Sequence, residues 1–222
     1  MSTPAELDRE KRLAAKAAAL FVEDGMTVGL GTGSTVAHLL PALAARGLNL
    51  RCVATSLATE DQARDLGIEV EGFDALVGLD VAIDGADQVA PDGWIVKGGG
   101  GAHLREKIVA SAAQRFIVIA DSSKPVDALG PPLPLELSSF GLSATLREIG
   151  AIGDVRRRDV PLSPDGGVIA DYFGDVADPA QLASTLEAVP GMLAHGLFPP
   201  ALLSDLIVGQ GAEAEHQSFG RD

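Results

Sequence analysis

The chain has 222 residues, 46% of them apolar and only 4% aromatic, so its core has to be assembled from Ala, Val, Leu and Ile. Its formal net charge of −14 argues against nucleic acid or an acidic membrane surface as a partner, because both call for basic patches. A small anion remains compatible, since one pocket can be positive on an acidic protein.

Cys52 is the single cysteine, which excludes an intrachain disulfide and a Cys-based metal site. His38, His103, His195 and His216 share no ligand spacing, so no metal is expected. The charged N-terminal stretch lacks an apolar signal core and no run reaches the length of a membrane span, which predicts a cytoplasmic protein.

Residues 5–23 read as a helix, with Leu7, Leu13, Ala17 and Leu20 near helical spacing and Lys11 among its exposed charges. Residues 26–30 form a short apolar strand that runs into Gly31-Thr32-Gly33-Ser34-Thr35, and residues 36–43 then read as helix. Strand, Gly-rich turn and helix is a layout that turns backbone N–H groups toward an anion. It is not a dinucleotide fingerprint: after Gly29 and Gly31 the third required glycine is replaced by Ser34, and the next strand ends in Thr55 and Ser56 rather than in an acid. Nor is it a P-loop, for no Gly-Lys-Ser/Thr occurs. A phosphate cradle with hydroxyls from Thr32, Ser34 and Thr35 fits what remains.

Strands are predicted next at residues 50–54, 68–70, 81–83, 94–96 and 116–120, with helices near 57–66 and 105–113. The strand at 81–83 leads into a loop, Asp84-Gly85-Ala86-Asp87. The strand at 94–96 leads into Lys97-Gly98-Gly99-Gly100-Gly101, with Glu106 near the opening of the following helix. Four successive glycines would be costly inside a helix and read as a loop that lets backbone approach a ligand. The strand at 116–120 ends in Asp121-Ser122-Ser123-Lys124. Five strands thus end in polar loops while strands and helices mostly alternate, which predicts a parallel α/β sheet with a binding edge at the carboxyl ends of its strands. His103 reads as a loop histidine without a role, and Arg156, Arg157 and Arg158 as a solvated face.

Near residue 130 the pattern changes at Gly130-Pro131-Pro132. Strands at 135–137, 155–158, 168–173 and 192–197 and helices at 143–149 and 178–189 give β-α-β-β-α-β, the split ferredoxin-like order. A strand at 204–209 returns to the first domain, and residues 213–222 read as a frayed polar tail. The expected domains are therefore residues 1–130 with 203–222, and an insertion over 131–202.

Together, Gly31-Thr32-Gly33-Ser34-Thr35, Asp84-Gly85-Ala86-Asp87, Lys97-Gly98-Gly99-Gly100 with Arg105-Glu106-Lys107, and Asp121-Ser122-Ser123-Lys124 resemble the type A ribose-5-phosphate isomerase family. Gly196-Leu197-Phe198 adds to the likeness, which runs from about residue 11 to 209. The resemblance implies a Rossmann-like parallel-sheet domain with an inserted small α+β domain, a homodimer, and metal-free interconversion of ribose 5-phosphate and ribulose 5-phosphate. By position, Glu106 matches the general base. Asp84, Asp87 and Lys97 match groups around the sugar hydroxyls and the enediolate. Lys11, Thr32, Gly33, Ser34, Thr35, Gly85, Ala86, Gly98, Gly99, Gly100 and Lys124 match substrate-binding positions. Three departures stand out: Gln88 where an acid is usual, an interdomain segment at Pro131-Pro132 that looks one residue short, and Pro199-Pro200-Ala201 after Gly-Leu-Phe.

The residue types suit that chemistry. One carboxylate can carry a proton between adjacent carbons, and a fixed cation can offset the enediolate charge. The main rival is a phosphosugar sensor with the same cradle and no catalysis, which would need no base at Glu106.

Overall fold

The computed structural model describes residues 2–220. In chain order the first elements are α1 (Pro4–Ala19), β1 (Thr27–Leu30), α2 (Val36–Ala44), β2 (Arg51–Ala54), α3 (Leu57–Asp65), β3 (Leu79–Gly85), β4 (Gln88–Val89), β5 (Ile95–Val96), α4 (His103–Ala112) and β6 (Ala113–Asp121). They are followed by β7 (Leu133–Leu137), α5 (Leu142–Ile152), β8 (Val155–Arg157), β9 (Val168–Tyr172), α6 (Pro179–Glu187), β10 (Met192–His195), β11 (Leu197–Phe198), β12 (Asp205–Gln210) and β13 (Glu213–Ser218). No helix of the described residues is long and apolar enough to cross a membrane.

The chain divides into two compact units, residues 1–86, 105–124 and 201–222 forming one and residues 87–104 and 125–200 the other. The boundary expected at 130 is drawn differently: residues 87–104 and 125–130 go with the second unit. Pairing explains the difference. β4 and β5 form an antiparallel hairpin that pairs with β11, and Val126 N donates to Val89 O.

The first unit is built on a six-stranded sheet in the order β13-β12-β6-β3-β1-β2. Its strands run parallel except β13, which lies antiparallel along β12. α1 starts at a capping box: Glu6 N donates to the Thr3 hydroxyl, and Thr3 N to the Glu6 carboxylate, with Pro4 at the first helical position. It ends at Ala19, earlier than the predicted 23, where Arg46 donates to the carbonyls of Ala19 and Val22. Ala14, Ala15, Ala18 and Ala19 pack on the sheet among Leu30, Ile83, Ile117 and Ile207. Small side chains let helix and sheet close up, so a chain poor in aromatics still excludes water.

The tail at 213–218, expected to fray, is instead an edge strand. Backbone pairing is indifferent to side-chain polarity, and Ala214 packs against the core while Glu213, Glu215 and Gln217 stay in solvent. Residues 221 and 222 lie outside the described residues. The strand expected at 68–70 is a single bridge, Cys52 to Val70. Burial pushes the Cys52 thiol up to about 12, so it is an inert core residue.

The second unit holds a four-stranded antiparallel sheet, β10-β7-β9-β8, and the three-stranded β11-β5-β4. Leu133, Leu135, Ile149, Tyr172 and Leu186 are fully or nearly fully buried in its core. The strand predicted at 192–197 breaks in two at Gly196, where the chain passes from one sheet to the other. Gly196 N donates to Pro134 O and Lys97 N donates to Gly196 O. A Cβ on Gly196 would lie 2.2 Å from Lys97 O, so only glycine admits this approach. β5 therefore belongs to this small sheet. Four of the five strands expected to share one parallel edge do so, and the Lys97 strand does not.

Candidate active site

The residues singled out from the sequence fall into two groups, one in each unit. In the first unit, Asp84 is the organising group. It lies within β3, paired opposite Val118, rather than in a loop, and it is 3% exposed. Its Oδ1 accepts Thr32 N at 3.1 Å and Gly85 N at 2.7 Å. Gly31 sits directly against it: a Cβ there would come within 2.0 Å of Asp84 Cγ, so the turn after β1 requires glycine.

Hydroxyls brace the same turn. Thr32 and Thr55 are 2.7 Å apart through their Oγ1 atoms, and Thr59 Oγ1 donates to Gly31 O at 2.9 Å. α2 begins just beyond it with Thr35 at its N-cap. The Thr35 side chain makes no capping bond and the first turn of α2 holds no acid, while Ala37 N and His38 N already donate to Gly33 O and Thr35 O, so an anion here would meet the N–H groups that precede them.

Lys11 is not on a solvated face. Its Nζ donates to Ser34 Oγ at 3.0 Å and lies 3.8 Å from Asp121 Oδ2, which joins α1 to the cradle and to the end of β6. Lys124 closes the turn after β6, its N–H donating to Asp121 O. Lys11, residues 31–35, Asp84 and the turn carrying Lys124 are thus assembled within one unit. Glu106 belongs to that unit as well. It is 5% exposed and lies in the first turn of α4.

Sequence reasoning missed Glu10. Its buried carboxylate accepts Ser122 N at 3.1 Å, Ser122 Oγ at 2.6 Å and Gly211 N at 2.9 Å, and so ties α1 to the turn that carries Lys124. The Ser122 hydroxyl bond chiefly holds this carboxyl below its usual range, against the opposing effect of burial, with the Gly211 and Ser122 amides adding to the lowering. A folded-state value below the unfolded one stabilises the protein above the unfolded value. That contribution is lost as pH falls through the folded one. Glu10→Gln is expected to cost about 1.5–3 kcal/mol at neutral pH. The gap to the wild type should narrow below about pH 4.3, where the unfolded carboxyl takes its proton. Urea unfolding across that range checks it, and a gap independent of pH would refute the role.

In the second unit, Lys97 follows β5 and is buried, with Nζ 5.7 Å from the Phe198 ring centroid. Asp87 N donates to Val96 O, and Gly99 N donates to Asp87 Oδ2 at 2.7 Å, so Asp87 holds the start of the glycine loop. His103 opens α4 and is fully buried, not the loop residue expected.

Arg158 was also read as solvated. Its side chain is 20% exposed, forks onto Asp171 and reaches the loop carbonyls. Arg156 and Arg157 of that basic run keep to the surface, Arg156 pairing with Asp154. Gln88 has a use that an acid could not serve: Nε2 donates to Gly130 O, and Oε1 accepts Gly130 N, both at 2.8 Å.

The sequence family described as ribose 5-phosphate isomerase A (phosphoriboisomerase A) matches residues 51–213. The chain belongs to that family. A ribose-5-phosphate isomerase A of Caulobacter sp. (strain K31) is 46% identical over 203 residues, covering 86% of this chain and 90% of its own. The crystal structure of ribose 5-phosphate isomerase A from Neisseria gonorrhoeae superposes with a TM-score of 0.92 at 35% identity, over 96% of this chain and 98% of that one. A D-ribose-5-phosphate isomerase solved in complex with phospho-erythronic acid gives a TM-score of 0.89 at 32% identity, over 98% and 100%. The mostly parallel α/β sheet described above is shared with these isomerases.

Proposed function

We propose that this chain interconverts ribose 5-phosphate and ribulose 5-phosphate without metal or cofactor, the aldose–ketose step of the non-oxidative pentose phosphate branch. The observation that carries the proposal is the cradle of the first unit. The Gly-rich turn leads into a helix start without a side-chain cap and carries the Ser34 hydroxyl, which the Lys11 ammonium meets at 3.0 Å, a combination that suits a phosphate group.

In this proposal the phosphate binds residues 32–35 with Lys11 and Lys124. Glu106 takes the C2 proton of the open-chain aldose; the bonding pair forms a C1–C2 double bond and the aldehyde pair moves onto O1. Lys97 offsets the enediolate charge, with Gly98, Gly99 and Gly100 as neighbours along the chain. Asp84 and Asp87, with Gly85 and Ala86 between them, pass the O2 proton to O1. Glu106 then returns its proton to C1, which completes the ketose.

The finer architecture belongs to the same proposal. The first unit is read as Rossmann-like, and β7-α5-β8-β9-α6-β10 as ferredoxin-like, on the strength of its antiparallel order β10-β7-β9-β8. A homodimer is part of it too, to be tested by light scattering.

The deciding assay follows ribulose 5-phosphate formation from ribose 5-phosphate in excess chelator, alongside exchange of the C2 hydrogen with solvent. Turnover and exchange are both expected to persist, and phospho-erythronic acid is expected to compete. Tight sugar-phosphate binding with no exchange would establish the sensor instead, and activity restored only by a divalent ion would overturn the metal-free route.

A further inference from the structure

The carbonyls of the glycine loop are held by a single side chain that lies far away in sequence. Arg158 Nη1 donates to Gly98 O at 3.2 Å and to Gly99 O at 3.0 Å. The rest of its guanidinium is spent on Asp171: Nε to Oδ2 and Nη2 to Oδ1, both at 2.6 Å. The backbone is anchored as well. Arg158 follows β8, and its N–H donates to Ile169 O on β9, the strand that also carries Asp171. The guanidinium is therefore fixed by the sheet before it meets the loop.

Peptide planarity converts this grip into direction. In a trans peptide the C=O of one residue and the N–H of the next point opposite ways. With Gly98 C=O on Arg158, Gly99 N–H must face away from it, and it does so, donating to Asp87 Oδ2 at 2.7 Å. The next plane obeys the same constraint: Gly99 C=O is on Arg158, so Gly100 N–H also faces away. Gly98 at φ +107° and Gly101 at φ +73° bound the pair, and Gly101 N closes it by donating to Gly98 O at 3.0 Å. Without side chains the loop has no preference of its own for this orientation.

We propose that Arg158 is a positioning residue for the isomerisation. It holds the 98–99 and 99–100 peptide planes so that the Asp87 carboxylate is fixed by one N–H, while the next N–H is preset as a donor to the oxygen that becomes negative. The inference rests on the isomerase reading above. A guanidinium is needed because the task is bidentate on both sides, whereas an ammonium is a point donor on a flexible stem.

The test compares Arg158→Ala, Arg158→Lys and Asp171→Asn with Arg156→Ala, an exposed neighbour paired to Asp154 and away from the loop. The first two variants are expected to lower kcat by about 10- to 100-fold with KM changed less than about threefold, since donor misplacement affects the transition state most. Lysine should not rescue. Added guanidinium ion should restore part of kcat in Arg158→Ala, a response that a purely structural role would not show. Asp171→Asn should fall between, and Arg156→Ala should match the wild type.

Amide exchange at Gly99 in the substrate-free variants gives a readout independent of turnover, and faster exchange is expected. Folded Arg158→Ala and Arg158→Lys proteins with wild-type kcat and Gly99 protection would overturn the proposal. If the alanine variant fails to fold, Arg158→Lys decides in the same two measurements. A wild type that binds sugar phosphate without isomerising it would refute the functional reading, whereas an active wild type beside fully active variants would refute this inference alone.

Discussion

Glu106→Gln is expected to lower the rate of ribose 5-phosphate isomerisation by about 10²–10⁴-fold, the span associated with loss of a general base. The substitution keeps the size of the side chain and most of its hydrogen bonding, and removes only the basic oxygen. Glu106 is 5% exposed and stands in the first turn of α4, where the helix dipole favours a carboxylate and bulk water does not compete for the proton. Affinity should change little, because the cradle around Ser34 and Lys11 does not involve this residue. Solvent exchange of the substrate C2 hydrogen should vanish along with turnover. A variant with near-normal rate and exchange would transfer the base role to Asp84 or Asp87.

Lys97→Met should reduce kcat by about 10²–10³-fold, the scale for losing one group that stabilises a developing oxyanion. Some loss of stability is expected as well, because taking one charged group out of a buried site costs stability when it leaves a partner uncompensated. The stem lies near the Phe198 ring, against which a thioether packs well and so offsets part of that loss. A variant that is native by circular dichroism and melts cooperatively above the assay temperature, yet turns over hundreds of times more slowly, would identify Lys97 as kept for chemistry. Activity lost only in step with the folded fraction would make it a structural cation instead. Lys97→Arg should not restore the rate, because a larger, planar head group has to fit the same buried space.

Much of this protein is legible along the chain. The Gly31 to Thr35 turn, the Asp84 to Asp87 stretch and the run after Lys97 each interrupt an apolar pattern with residue types that only binding or a turn explains. Alternating strands and helices announce the parallel sheet, because period-2 and period-3.6 patterns are local properties. What stayed hidden depends on partners distant in sequence. Arg158 looks like any surface arginine until Asp171 and the carbonyls of Gly98 and Gly99 are brought to it. Glu10 looks like any helix-face acid until Ser122 and Gly211 close over it.

β5 resembles one more strand of the parallel sheet. Only its pairing with β4 and β11 places it elsewhere, and Gly196, which the sequence offers as part of a motif but not as a crossing point, is where that choice is made. β13 offers only Ala214 as a hydrophobic signal, since an edge strand is held largely by its backbone. The sequence by itself determined the elements and the chemical groups at their ends, because those follow from local periodicity and residue type. The tertiary structure alone decided which backbone groups hold those residues in place, because a hydrogen bond depends on distance in space, not on separation along the chain.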